Sequence, residues 1–76
     1  MHLDIITADK NLFNGEVKAV TLPGSKGKFQ VLEAHAALIS SLEKGNIVVE
    51  TATGKQEIAI HGGLVEVLNN RIIVLA

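Results

Sequence analysis

Apolar and polar residues alternate with a period of two along most of this chain. In residues 2–7, Leu3 and Ile5 fall on one side, and His2, Asp4 and Ile6 on the other. Residues 15–23 set Val17 and Ala19 against Glu16 and Lys18, and residues 27–33 set Phe29 and Val31 against Lys28 and Gln30. Ile47, Val49 and Thr51 alternate with Val48, Glu50 and Ala52, and Ile58 and Ile60 with Glu57, Ala59 and His61. Val65 and Val67 flank Glu66, and residues 71–76 are apolar throughout after Arg71. Successive side chains of a strand point to opposite faces, so this pattern predicts half-buried strands, and the β-branched residues suit a pleated surface.

Turn formers fall between these runs at short intervals. Asn14-Gly15, Pro23-Gly24, Lys26-Gly27, Thr53-Gly54-Lys55, Gly62-Gly63 and Asn69-Asn70 each supply residues that tolerate positive φ or start a turn. Thr53-Gly54 and Asn69-Asn70 have the form of tight hairpins. Residues 34–45 offer the one helical pattern, with Leu38 and Leu42 four apart and Gly45 as a stop. Between β flanks, a strand or an irregular crossing is the better expectation. No repeat, linker or low-complexity tract interrupts the pattern. The expected fold is all-β, a sandwich or barrel, as one domain over residues 1–76.

Composition narrows the function. A chain of 76 residues buries only about 60% of its unfolded surface, so such a domain leans on dense apolar packing, a disulfide, a metal or a partner. There is no cysteine, which removes disulfides and thiolate metal sites. Apolar residues make up 47% of the chain, and the formal net charge is −1 with lysines and acids interleaved. That leaves no basic footprint for nucleic acid, and Phe13 and Phe29 are too few for a base-stacking platform. No apolar run approaches the roughly 20 residues of a membrane helix, and the N-terminus does not read as a signal peptide.

Two chemical readings centre on residues 24–38. Gly27-Lys28 invites comparison with a phosphate loop, but Phe29 follows the lysine and Leu22 stands where the leading glycine belongs. The segment also runs into a strand pattern, whereas a phosphate loop opens a helix whose amides hold the anion. His35 has Glu33 before it and Ser40 and Ser41 after it, yet no nucleophile elbow or carboxylate pair accompanies them. His2, His35 and His61 lack metal-ligand spacing. No catalytic, metal or cofactor site is expected. A lipoyl- or biotinyl-type carrier domain is the alternative of another class. Asp9-Lys10 is similar to the lipoyl Asp-Lys pair, and Lys55 lies at a hairpin tip, but no Met-Lys pair is present.

Read along its length, the chain resembles the N-terminal domain of the epsilon subunit of F-type ATP synthase (delta in mitochondria). Phe13-Asn14-Gly15 stands for that family's Phe-Ser-Gly, and residues 20–24 and 27–29 are similar to its central loop and next strand. His35-Ala36-Ala37-Leu38 looks like its His-Ala-Pro-Leu, with Ala37 in place of the proline. Residues 42–45 match its Leu-x-x-Gly, residues 62–67 match Gly-Gly-Phe-x-Glu-Val with Leu64 for the aromatic, and residues 71–76 read like its final strand.

The resemblance implies a flattened β-sandwich of two roughly five-stranded sheets at the foot of a rotating central stalk. Such a subunit performs no chemistry and takes no cofactor. It docks on the gamma subunit and the c-ring, couples ion flow to ATP synthesis, and sits peripherally on the cytoplasmic face of the bacterial plasma membrane. By position, Gly24, Ser25, Lys26, Gly27 and Lys28 would face the c-ring, with Lys26 and Lys28 able to meet acids in its loops. His35, Ala36, Ala37 and Leu38, together with Ala8, Asp9 and Lys10, would contact gamma. The family usually continues into a two-helix inhibitory hairpin. This sequence stops after the sandwich, so the resemblance implies function without that hairpin or a hairpin beyond the sequence in hand.

Overall fold

A computed structural model describes residues 1–76. Nine strands follow one another without a helix: β1 (His2–Ile6), β2 (Asn11–Glu16), β3 (Ala19–Gly24), β4 (Gly27–Leu32), β5 (Leu38–Leu42), β6 (Gly45–Thr51), β7 (Gly54–Ile60), β8 (Gly63–Leu68) and β9 (Arg71–Leu75). Hydrogen bonding runs in the order β2-β1-β9-β8-β5-β3-β6-β7, with β4 on β3. The path folds back on itself into a five-stranded layer, β2-β1-β9-β8-β5, and a four-stranded one, β4-β3-β6-β7. The expectation of two roughly five-stranded sheets therefore holds with one strand fewer. The two layers share a seam at a single pair, Gly24 with Leu42.

The core lies between the layers. Leu3, Ile5, Leu42, Val65, Val67, Ile72 and Val74 of the larger layer face Val20, Leu22, Val31, Ile47, Val49 and Ile60 of the smaller one. These are largely the residues that the alternation set on one side of each strand. Each is worth about 1.5–3 kcal/mol when fully withdrawn from water. No buried side-chain nitrogen or oxygen lacks a hydrogen-bond partner.

Three local expectations change. Residues 15–23 form not one strand but the end of β2 and most of β3. Val17 N–H bonds to Met1 O at 2.9 Å in the larger layer, and the next amide, Lys18 N–H, bonds to Glu50 O at 2.7 Å in the smaller one. The chain changes layers there without losing alternation, because Val17 stays buried at the sandwich edge. Asn14-Gly15 is not a turn but the middle of β2, opposite Asp4 and Leu3. Pro23-Gly24 likewise ends β3, and the turn proper is Ser25-Lys26 between paired Gly24 and Gly27. In residues 34–45 the expected strand and irregular crossing form, the crossing at 35–37 and the strand as β5, and the helical pattern does not.

Candidate functional site

The β3–β4 turn is tightly anchored at its base. Ser25 N–H donates to Ser41 O at 3.0 Å, Ser41 Oγ donates to Ser25 Oγ at 2.8 Å, and Glu43 N–H donates to Pro23 O at 2.9 Å. Gly24 has no room for a side chain, since a Cβ would sit 2.7 Å from Gly27 O and 2.9 Å from the Phe29 ring. Gly27 follows the turn at φ 124°, a conformation that only glycine adopts without strain. Lys26 and Lys28 stand exposed on this rigid base, and neither joins an ion pair. An open hollow joins the turn to Phe29 and to Leu38, Ile39, Ser40 and Ser41 of β5. The turn and the start of β5 thus form one surface.

The crossing before β5 is held by the β8–β9 turn. Ala34, at φ 62°, donates its N–H to Asn70 Oδ1 at 2.7 Å, and Asn70 Nδ2 donates to Glu33 Oε1 at 3.1 Å. His35 N–H donates to Leu32 O at 3.1 Å, and the His35 ring donates through Nδ1 to Ala36 O at 2.7 Å. Ser40 Oγ donates to Ser41 O, so the ring and the serine hydroxyls make no relay. His35 shapes its own loop. Ala36 and Ala37 are exposed, and Leu38 is half-buried against the core.

Ala8, Asp9 and Lys10 form the exposed β1–β2 loop, closed by Thr7. Thr7 N–H donates to Lys10 O at 2.8 Å, and Thr7 Oγ1 accepts from Lys10 N–H at 3.0 Å and Asp9 N–H at 3.3 Å. The larger layer separates this loop from His35–Leu38. Leu38 pairs with Val67, Val67 with Ile72 and Ile72 with Leu3, one residue from the start of β1, whereas the loop follows Ile6. The two segments expected to share a partner lie at opposite ends of the layer, roughly 10 Å or more apart at 3.3 Å per strand residue.

What joins them is a surface that the sequence reading did not assemble. On the outer face of the larger layer, Ile6, Leu64, Leu68 and Leu75 are exposed, Ile39 is exposed to 66%, and Ile73 is half-buried among them. Register aligns them in three rows, Ile39-Glu66-Ile73-Asp4, Ser41-Leu64-Leu75-Ile6 and Leu68-Arg71-His2. The signal was present in residues 71–76, where apolar residues occupy both faces, as in strands covered on both sides.

A polar cluster closes the end of that face nearest the β1 start. The Asp4 carboxylate accepts from Asn14 Nδ2, with His2 Nε2 at 3.6 Å and an Arg71 guanidinium nitrogen at 3.7 Å. His2 Nδ1 lies 3.1 Å from Glu16 Oε2, and the hydrogen bond from His2 holds the Glu16 carboxyl below its ordinary value. The Met1 ammonium lies 3.2 Å from Glu33 Oε2 and 3.5 Å from Glu16 Oε1, and the Glu33 hydrogen bond raises its pKa. Lys10 and Lys55, the two lysines of the carrier alternative, lie in the β1–β2 loop and at the start of β7 opposite Glu50.

The family model for the ATP synthase delta/epsilon chain β-sandwich domain matches residues 1–76. The ATP synthase epsilon chain of Campylobacter jejuni (strain RM1221) is 48% identical over 77 residues, covering 100% of this chain and 60% of that protein. The epsilon chain of Helicobacter pylori (strain ATCC 700392 / 26695) is 40% identical over 76 residues, covering 100% of this chain and 62% of its own. A chain in the cryo-EM structure of Euglena gracilis mitochondrial ATP synthase, OSCP/F1/c-ring in rotational state 1, superposes with a TM-score of 0.89 at 26% identity, over 97% of this chain and 48% of that one. A chain in the Tetrahymena thermophila mitochondrial ATP synthase central stalk/c-ring structure shares the fold, with a TM-score of 0.83 at 15% identity, over 97% of this chain and 60% of that one. The chain spans about three fifths of the length of the curated relatives it matches.

Proposed function

The chain belongs to the ATP synthase delta/epsilon chain family through its β-sandwich domain, and from that premise we propose that it is a rotor subunit of the central stalk. It docks on gamma and on the c-ring, and it helps to couple ion flow to ATP synthesis without chemistry of its own. It is held peripherally on the cytoplasmic face of the bacterial plasma membrane. No helix is long and apolar enough to cross a membrane. The observation that carries this reading is the match of residues 1–76 to the family, joined to a 0.89 superposition on a chain of an F1/c-ring assembly.

The geometry supports a division of contacts. The rigid turn Gly24–Lys28 offers Lys26 and Lys28 without ionic partners, which suits loops that carry acids. The outer apolar face of the larger layer is bounded by Ala8, Asp9 and Lys10 at one end and by His35, Ala36, Ala37 and Leu38 at the other. That face is the gamma contact in this proposal. Exposed apolar side chains contiguous on one sheet mark a surface that gains by being covered.

Co-purification from detergent-solubilised membranes of the native host tests the proposal. A tagged chain is expected to recover gamma and the c-ring together. Recovery of the chain without gamma would sink it. Leu68→Glu with Ile73→Glu is expected to reduce recovery of gamma, and Lys26→Glu with Lys28→Glu to reduce that of the ring.

A further inference from the structure

The sandwich has four strands with a free edge: β2, β4, β5 and β7. An unpaired edge displays backbone N–H and C=O groups to any passing strand, and proteins guard such edges with charges or proline. β2 carries Glu16, β4 carries Lys28, and β7 carries Lys55 and Glu57. β5, Leu-Ile-Ser-Ser-Leu, carries neither a charge nor a proline. It pairs with β8 over its whole length on one side, and on the other it meets β3 only at Gly24–Leu42.

The hydrogen bonds show which groups are left. Ser41 O is bonded to Ser25 N–H, and Glu43 N–H is bonded to Pro23 O, so residues 41 and 43 direct their backbone away from β8. In an antiparallel pair that direction alternates, so Ile39 also turns its N–H and C=O outward. Ile39 is the most exposed of the large apolar side chains. The hollow beside this edge has room for more chain, with Phe29 and Leu38 on its apolar wall and Lys26 and Lys28 on its rim.

We propose that the free edge of β5 accepts an extended segment of a partner polypeptide as an added strand, with a carboxylate of that segment set against Lys26 and Lys28. Main-chain bonds to Ile39 and to Ser41 N–H hold the segment, and alternate side chains meet the apolar wall and the lysines. Pairing of β5 with β5 of a second copy would bring no acid to the two unpaired lysines, and the proposal commits to a different chain as donor. The inference does not rest on the stalk reading: it concerns what the edge accepts, whichever protein supplies it.

The test uses the isotopically labelled chain and a short peptide of alternating valine and aspartate. Saturable binding is expected, with slowed hydrogen exchange at the Ile39 and Ser41 amides. Lys26→Glu with Lys28→Glu should weaken binding about tenfold. Ile39→Pro should abolish it while the β8 amides stay protected, since the Ile39 N–H takes no part in the β5–β8 ladder. Methylating alternate amides of the peptide should abolish binding to the unaltered chain. Equal binding of the methylated peptide, equal binding of a valine–lysine peptide, or no binding of the aspartate peptide would each overturn the proposal. So would protection of Ile39 that grows with protein concentration alone, which would make the occupant a second copy.

Discussion

Asn70 holds the segment before His35 from 36 residues away: its Oδ1 accepts the Ala34 N–H at 2.7 Å, and its Nδ2 reaches Glu33. Asn70 also occupies the second position of a turn whose two residues have φ of 51° and 60°. Asn70→Gly keeps that backbone and removes the side chain. It is expected to cost about 1–2 kcal/mol, the net worth of the two hydrogen bonds lost, and to speed exchange of the Ala34 amide. Asn69→Gly has the same backbone effect without the lost bonds and should leave that amide unchanged. Equal exchange in both variants would show that Asn70 does not hold the crossing.

Gly63 begins β8 at φ 144°, and a Cβ there would collide with Leu75 O. Gly63→Ala is expected to destabilise by about 2–4 kcal/mol, since strain and a backbone clash add. Urea unfolding would read this as a lower midpoint at unchanged slope.

Leu22 and Ile39 separate folding from surface. Leu22 is fully buried, and Leu22→Ala should cost about 2–5 kcal/mol by leaving a cavity. Ile39 faces solvent in a strand, and Ile39→Thr should shift stability by no more than about 0.5 kcal/mol. A large loss from Ile39→Thr would mean that the outer face stabilises the isolated chain.

Two groups tie stability to pH in opposite directions. The Glu16 pKa is lowered in the fold, chiefly by its hydrogen bond from His2. Its contribution is present above about 4.5 and is lost as pH falls through the folded value. The Met1 ammonium is raised, chiefly by Glu33. Its contribution is present below about 8 and is lost as pH rises through the folded value. His2→Ala should flatten the acid limb of a stability–pH curve, and Glu33→Gln the alkaline limb. Unchanged limbs in these variants would refute both assignments.

Much of the fold was legible because a strand that buries one face must alternate. Ile47 and Val49, Ile58 and Ile60, and Val65 and Val67 all face inward as their spacing requires. The turn at Asn69-Asn70 was legible because few residues accept positive φ in succession. Asn14-Gly15 misled for the same reason. Asn14 has turn chemistry, but here its side chain satisfies the Asp4 carboxylate on the neighbouring strand. Val17 hid a change of layer, since a buried valine keeps the alternation whether the chain continues or crosses.

The order of alternation, glycines and asparagines along these 76 residues determined an all-β chain, the inward face of most strands and the family to which it belongs. Those are local properties, set by side-chain direction and by allowed φ. Tertiary structure decided which residues meet across distance. It carried Leu38 to the lysine turn, parted Ala8–Lys10 from His35–Leu38 by the length of a layer, and gathered Ile6, Ile39, Leu64, Leu68, Ile73 and Leu75 onto one face. Strand order and register made those neighbours, and neither is written in the spacing of any single strand.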